Sequence, residues 1–327
     1  MNSAADPTPT AIREPRFIQV DPADHAAARD ELIRGLAATE AHTSPKFLYD
    51  ALGSRLFEAI TELPEYYPTR TEAAIFAEHA QHIAQVIGNV GTLVDLGAGN
   101  CAKAMRLMPA LQPARYVAVD ISVDFLRDSL RTVQRAHPAL DVIGVGLDFS
   151  QALRLPPSSV DGRPVFFYPG SSIGNFTPEH ARTFLAGVRE QARNGGLLIG
   201  IDMVKATELL QPAYDDALGV TAAFNLNLLL HLNRLIGSDF SPRDWRHIGL
   251  FNTERSRIEM HLEARRDLHV TWPGGTRRFH AGERMHTENS YKYTADGFAA
   301  LLKAAGFQST HRWLDAQGWF AVFWAQS

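Results

Sequence analysis

Between residues 92 and 202 the chain runs through five strand-length apolar segments: "TLVDL", "RYVAVD", "DVIGVGLDF", "PVFFY" and "GLLIGID". A helical stretch begins near Ala102, and helices are expected over 122–136 and 178–192. Strands that are apolar along their whole length are buried on both faces, and strands alternating with helices build parallel βα units. No other feature narrows the fold as far. It predicts an α/β, doubly wound, Rossmann-like sheet. The last two strands, "FQSTHRWL" (307–314) and "WFAVFWA" (319–325), are joined by the tight turn "DAQG", which suits an antiparallel edge on that sheet.

The rhythm changes twice. Residues 1–23 read as a flexible leader, followed by a helix over 24–39. In 44–70, Phe47, Leu48, Leu52, Leu56, Phe57 and Ile60 recur at helical spacing, and Pro64 and Pro68 then place Tyr66 and Tyr67 on an exposed loop. An amphipathic helix is expected over 71–87. After 203 the βα alternation stops: "AAFNLNLLLHLNRLI" (222–236) is helical, "SRIEMHLEARRDLHV" (256–270) alternates like a strand, and "GGTRRFHAGERM" crosses to the stretch "HTENSYKY" (286–293). Two domains are therefore expected: a Rossmann-like domain from 24–203 and 293–327, and a smaller inserted α+β domain over 204–292.

Composition removes several classes of function. Basic and acidic residues are interspersed and the formal charge is -4, so no basic tract marks nucleic acid as a partner. No apolar run is long enough to span a bilayer, which excludes a membrane helix. A single cysteine makes no internal disulfide, and a reducing, cytoplasmic setting is expected. The 13 histidines are scattered without metal-ligand spacing, so no metal is expected.

The first strand runs into "VDLGAGN". Glycines at 97 and 99 allow a ligand close to the backbone at the carboxyl edge of the sheet, but the third glycine of a dinucleotide fingerprint is absent. Asp95 also suits a ligand carrying positive charge rather than phosphate. Asp120 ends the second strand, where a carboxylate can accept both ribose hydroxyls. Asp148 and Phe149 end the third, suited to an adenine amino group and ring face. These four features in order imply a nucleoside without phosphates, S-adenosylmethionine. Taken singly, each acid could also cap a helix or face water.

Several stretches resemble the histidine-specific Nα-methyltransferases of ergothioneine biosynthesis: "KFLYDALGSRLFEAITELPEYYPTRTEA" (46–73), "VDLGAGN", "FYPGSSIGNFTP" (167–178), "AYDDALGVTAAFNLNLL" (213–229), "RIEMHLEAR" (257–265) and "GERMHTENSYKY" (282–293). The resemblance implies transfer of three methyl groups from S-adenosylmethionine to the α-amino group of histidine, giving hercynine, in a monomeric cytoplasmic enzyme. It implies a substrate held between the two domains. Asn175 and Tyr214 take its carboxylate, Tyr49 lies beside its amine with Gly170 backbone nearby, and Glu288 and Ser290 hold the imidazole nitrogens, assisted by Tyr66. Phe57, Thr221 and Met260 complete the wall. Tyr49 and Asn175 are the residues expected nearest the reaction. On the cofactor side it implies Gly97, Ala98, Gly99, Lys103, Asp120, Asp148 and Phe149. Asn100, Cys101 and Ala102 after the glycine turn, and Asn289 between Glu288 and Ser290, depart from other members; in an extended strand Asn289 points away from its neighbours.

The chemistry of these side chains suits the part. Imidazole offers a donor at one nitrogen and an acceptor at the other, so Glu288 can accept while Ser290 donates; an apolar ring would leave a buried carboxylate unpaired. Amide and phenol can both donate to a carboxylate. Transfer is then an in-line displacement in which alignment supplies most of the protein's contribution. No obvious base emerges, and a phenol that ionises near pH 10 is expected to position the amine rather than deprotonate it. Each residue also has a structural role available: Tyr49 as a core phenol, Asn175 as a helix cap, Tyr214 on a helix surface, Met260 in the core, Glu288 on an edge strand. The rival functions are methyl transfer to another small amine, a nicotinamide-linked oxidoreductase, and a non-catalytic sensor that keeps the nucleoside pocket.

Overall fold

The computed structural model describes residues 13–20, 25–121, 123–150 and 152–327. In chain order it contains β1 (Arg16–Gln19), α1 (His25–Ala37), a 3-10 turn at Pro45–Leu48, α2 (Ala51–Thr61), α3 (Tyr67–Ile87), β2 (Thr92–Leu96), α4 (Ala102–Leu111), β3 (Arg115–Asp120), α5 (Val123–Ala136), β4 (Asp141–Gly146) and β5 (Pro164–Tyr168). A second 3-10 turn at Ser172–Asn175, α6 (Pro178–Ala192), β6 (Gly196–Asp202), α7 (Thr207–Leu210) and α8 (Val220–Ile236) follow. A short turn then leads to β7 (Trp245–Asn252), β8 (Arg257–Ala264), β9 (Leu268–Trp272), β10 (Gly275–Phe279), β11 (Arg284–Tyr291), α9 (Ala295–Ala304), β12 (Ser309–Leu314) and β13 (Phe320–Gln326).

The main sheet has the order β1-β4-β3-β2-β5-β6-β13-β12. It is parallel from β1 to β6, while β13 runs antiparallel between β6 and β12. The order reverses at β2, so its carboxyl end and that of β5 border a crevice, where folds of this kind take ligands. Every residue of β2, β5 and β6 is buried, as their unbroken apolar runs require. Apolar cores lie on both faces of the sheet.

The leader expectation is corrected over 16–19. Arg16–Gln19 adds a parallel edge strand, with Phe17 opposite Gly144, and the Arg16 guanidinium pairs with Asp141 at 2.9 Å. Phe17 joins the core on one face and Ile18 that on the other, which gives this short alternating segment two surfaces to bury. Of the expected leader, residues 1–12 and 21–23 lie outside the described residues.

A third core is built from α8, the antiparallel sheet β11-β8-β7 and the hairpin β9-β10. Leu32, Leu36, Phe47, Leu48 and Ile60 bury into it too. The apolar faces of the first helices meet α8, and the sheet is covered from α3 onward. The strand expected over 256–270 breaks at 265–267 into two.

Tyr66 and Tyr67, expected on an exposed loop, are 7% and 4% exposed. Pro68 occupies the first turn of α3, where its missing N–H costs nothing, so the helix starts four residues early and draws both phenols inward. Among the described residues no helix is long and apolar enough to cross a membrane, and no group of three or more side chains is arranged to hold a metal.

Candidate active site

The glycine turn after β2 is clipped to β3: the N–H groups of Gly97 and Ala98 donate to the Val119 carbonyl at 2.8 and 3.1 Å. Gly97 has φ +70° and Gly99 φ +52°, in the left-handed region where a side chain would be strained. The Gly99 N–H donates to Asp120 at 2.9 Å, tethering that carboxylate beside the turn. Asn100 serves the departed position well, since its Oδ1 accepts from the Ala102 N–H at 3.1 Å and its Nδ2 donates to Glu58 at 3.2 Å. Cys101, in the left-handed conformation, is buried, and burial pushes its thiol up to about 12, so it is inert.

A cavity of about 1130 Å³ opens over these strand ends and is lined by all seven residues expected there: Gly97, Ala98, Gly99, Lys103, Asp120, Asp148 and Phe149. Asp148 and Lys103 are held in ion pairs. Asp148 pairs with Lys46 at 2.9 Å and accepts from the Ser150 N–H; burial alone would raise its carboxyl, but Lys46 and Ser150 hold it below its usual range. Lys103 pairs with Glu72 at 2.8 Å. The other Glu72 oxygen accepts from the Gly170 N–H at 2.7 Å, and this buried acid has room only because residue 200 is glycine, whose Cβ would lie 2.2 Å from it. Burial pushes the Asp95 carboxyl up to about 7, against the hydrogen bond from Tyr116 and the charge of Lys103. Carboxylates at three strand ends fit a nucleoside bearing a cationic centre.

A smaller cavity of about 50 Å³ adjoins it. Its lining includes all ten side chains or backbone positions expected for substrate: Tyr49, Phe57, Tyr66, Gly170, Asn175, Tyr214, Thr221, Met260, Glu288 and Ser290. Tyr49, Phe57, Tyr66, Gly170, Ser172 and Asn175 line both cavities and so form the passage between them. Tyr49 is wedged edge-on against Phe57 and Phe224, ring centroids 5.5 Å apart in each case. Asn175 is not the cap of α6; Thr177 is, accepting from the His180 N–H at 3.3 Å.

Glu288 and Ser290 lie two residues apart in β11, just beyond a bulge. Its register against β8 slips between His286 and Glu288, and Thr287 is the extra residue. Beyond the bulge, period-two alternation turns Glu288, Ser290 and Lys292 the same way. Glu288 is 8% exposed, and burial pushes its carboxyl up to about 7 despite the charge of Lys292 and a hydrogen bond from Asn175. Burial likewise raises the Tyr49 and Tyr66 phenols well above their ordinary value, so neither accepts a proton at neutral pH.

Behind this wall lies a group the sequence reading overlooked. Lys292, with its side chain fully buried, contacts Asp202 at 2.7 Å, and Tyr214 and Ser290 at 2.9 Å each. Asp202 also receives the Tyr67 hydroxyl at 2.7 and 2.8 Å and Lys205 at 2.5 Å. Burial alone would raise the Asp202 carboxyl; Lys292 and Lys205 hold it low. The signal for Lys292 was present in "ENSYK", two residues beyond Ser290 on one strand face. Asp202 and Glu72 gave none, since a buried acid inside an apolar segment is legible only through its partners.

Comparison with known proteins gives a consistent picture. A family model described as "Histidine-specific methyltransferase, SAM-dependent" matches residues 28–327. The chain is 39% identical over 313 residues to a histidine N-alpha-methyltransferase of Mycolicibacterium smegmatis, covering 94% of this chain and 96% of that protein. It is 38% identical over 307 residues to one of Mycobacterium tuberculosis, covering 92% and 95%. It is also 28% identical over 303 residues to the N-methyltransferase imqF of Aspergillus flavus, covering 88% and 82%.

Proposed function

The chain belongs to the histidine-specific, S-adenosylmethionine-dependent methyltransferase family, and from that membership we propose that it trimethylates the α-amino group of L-histidine. The observation that carries the reading is the small cavity: one carboxyl and one hydroxyl, Glu288 and Ser290, line it and not the larger one, while Tyr49, Asn175 and Gly170 line both. An imidazole beside them offers Glu288 and Ser290 complementary polar partners that an apolar side chain does not. The amino acid's backbone end then lies at the passage, toward the cofactor.

In this reading Asp120 holds the ribose, Asp148 and Phe149 the adenine, and Lys103 with the 97–99 turn the amino-acid end of S-adenosylmethionine. When bound there, the cofactor supplies an electrophilic sulfonium methyl group. Asn175 and Tyr214 hold the histidine carboxylate, and Tyr49 orients the amine. The amine must be unprotonated before each transfer. Tyr49 cannot take that proton at neutral pH, because burial keeps its phenol protonated. Its part is to accept and direct a hydrogen bond while Phe57 walls the growing cation. We further read the lobe of 204–292 plus the first helices as the substrate side of the cleft, and the parallel sheet as the cofactor side.

The direct test incubates the protein with S-adenosylmethionine and each of the twenty amino acids and reads product masses. Histidine gaining three methyl groups is the expected result. Gain on tryptophan or tyrosine, with none on histidine, overturns the roles of Glu288 and Ser290.

A further inference from the structure

A proton inventory of the Lys292 cluster restricts what the substrate pocket can offer. A lysine ammonium has three N–H donors, and here three acceptors surround it: Asp202 at 2.7 Å, Tyr214 at 2.9 Å and Ser290 at 2.9 Å. The Tyr214 and Ser290 oxygens lie 2.8 Å apart and share a hydrogen bond. Each hydroxyl owns one hydrogen, and the bond between them consumes one. Burial keeps the Tyr214 phenol protonated. A single hydroxyl hydrogen is left for whatever enters the cavity.

We propose that Lys292, anchored by Asp202, is a positioning residue that locks the Tyr214–Ser290 hydroxyls together, so that the pair presents one donor and one acceptor to the substrate. The inference rests on the histidine reading given above. Both hydroxyls were expected to donate, Tyr214 to the carboxylate and Ser290 to the ring; while their mutual bond stands, that demand exceeds the supply. If Tyr214 donates to the carboxylate, Ser290 donates to Tyr214 and turns a lone pair to the imidazole. The ring then gives an N–H to Ser290, and its other nitrogen shares one proton with Glu288. Specificity for imidazole thereby includes its protonation, set from behind the pocket by a lysine that touches no substrate atom.

The test is a double-mutant cycle between Lys292→Met and Ser290→Ala, read as KM and kcat for histidine, with S-adenosylhomocysteine binding measured by calorimetry. Wild-type turnover on histidine is established first; its absence sinks the substrate reading and this inference with it, whereas turnover with additive losses sinks this inference alone. Lys292→Met is expected to raise KM by about tenfold with a smaller effect on kcat and unchanged cofactor affinity. Ser290→Ala in that background should cost at least several-fold less than in the wild type. Additive losses overturn the proposal, because a lysine that only supports the fold would weaken the pocket equally with or without the serine hydroxyl. If Lys292→Met lacks a cooperative melt, Lys292→Gln replaces it in the same cycle, with Asp202 still paired to Lys205. Glutamine brings two N–H donors to three acceptors, and additivity there overturns the proposal equally.

Discussion

In the larger cavity the polar groups expected to meet the cofactor lie between residues 97 and 149, at the ends of three strands joined by single helices. In the smaller one the lining runs from residue 49 to residue 290 and draws on α2, the 3-10 turn at Ser172–Asn175, α8, β8 and β11. The first is a property of a βα topology, since any sheet of this order brings those strand ends together. The second depends on how two separate cores are pressed together, and its polar groups are held by side chains behind them. The difference teaches where each region is vulnerable: local turn geometry on the cofactor side, a buried charge network on the substrate side.

The comparison can be broken by variants that should act on one side only. The largest effect is expected from Glu288→Ala, which removes a buried carboxyl and should lower kcat/KM for histidine by about two to three orders of magnitude. Cofactor affinity measured by calorimetry should stay unchanged; a parallel loss would mean the cavities are not separable.

A second prediction concerns pH. Glu288 ionises near 4.5 when unfolded and at about 7 in the fold, so the folded state holds its proton more tightly. Its favourable contribution is complete below pH 4.5 and is lost as pH rises through about 7, when the ionised group comes to oppose folding by about 3 kcal/mol relative to the acid limit. Glu288→Gln should therefore raise Tm over the wild type at pH 8, with the gain fading toward pH 4.5. Asp95 titrates in the same window in both proteins, so the difference isolates Glu288. A gain constant with pH would show that Glu288 is charged throughout.

On the cofactor side Asp120→Asn keeps an acceptor near the Gly99 N–H but loses the charge, and should weaken S-adenosylmethionine binding by about twentyfold. Histidine affinity of the cofactor-loaded enzyme should not move. The smallest effect is expected from Lys46→Ala. The Lys46–Asp148 pair is partly exposed, so stability should fall by less than about 1 kcal/mol in chemical denaturation. Freeing the Asp148 carboxylate should tighten cofactor binding by about threefold at most, while weakened binding would make Lys46 itself a contact.

The sheet was readable because its strands are apolar on both faces and its turns are glycine-marked, signals that neighbouring residues carry among themselves. The two glycines, Asp120, Asp148 and Phe149 were visible for the same reason. Tyr66 and Tyr67 were misplaced because two prolines look the same in a loop and in the first turn of a helix; the choice belongs to Tyr214, Phe57 and Asp202, which take up the two rings from elsewhere in the chain. Arg16–Gln19 read as a leader because an edge strand of four residues has no pattern of its own without β4 beside it.

The amino-acid order alone determined the α/β class, the antiparallel edge and the chemistry available at each strand end, since all of these follow from periodicity and backbone preference over a few residues. Tertiary structure decided that Lys292 reaches Tyr214, Ser290 and Asp202 at once, that the first helices join the late core, and that Lys46 meets Asp148. The physical reason is that a buried charge is tolerable only where its partners converge on it, and convergence from distant segments is written in no single stretch of sequence.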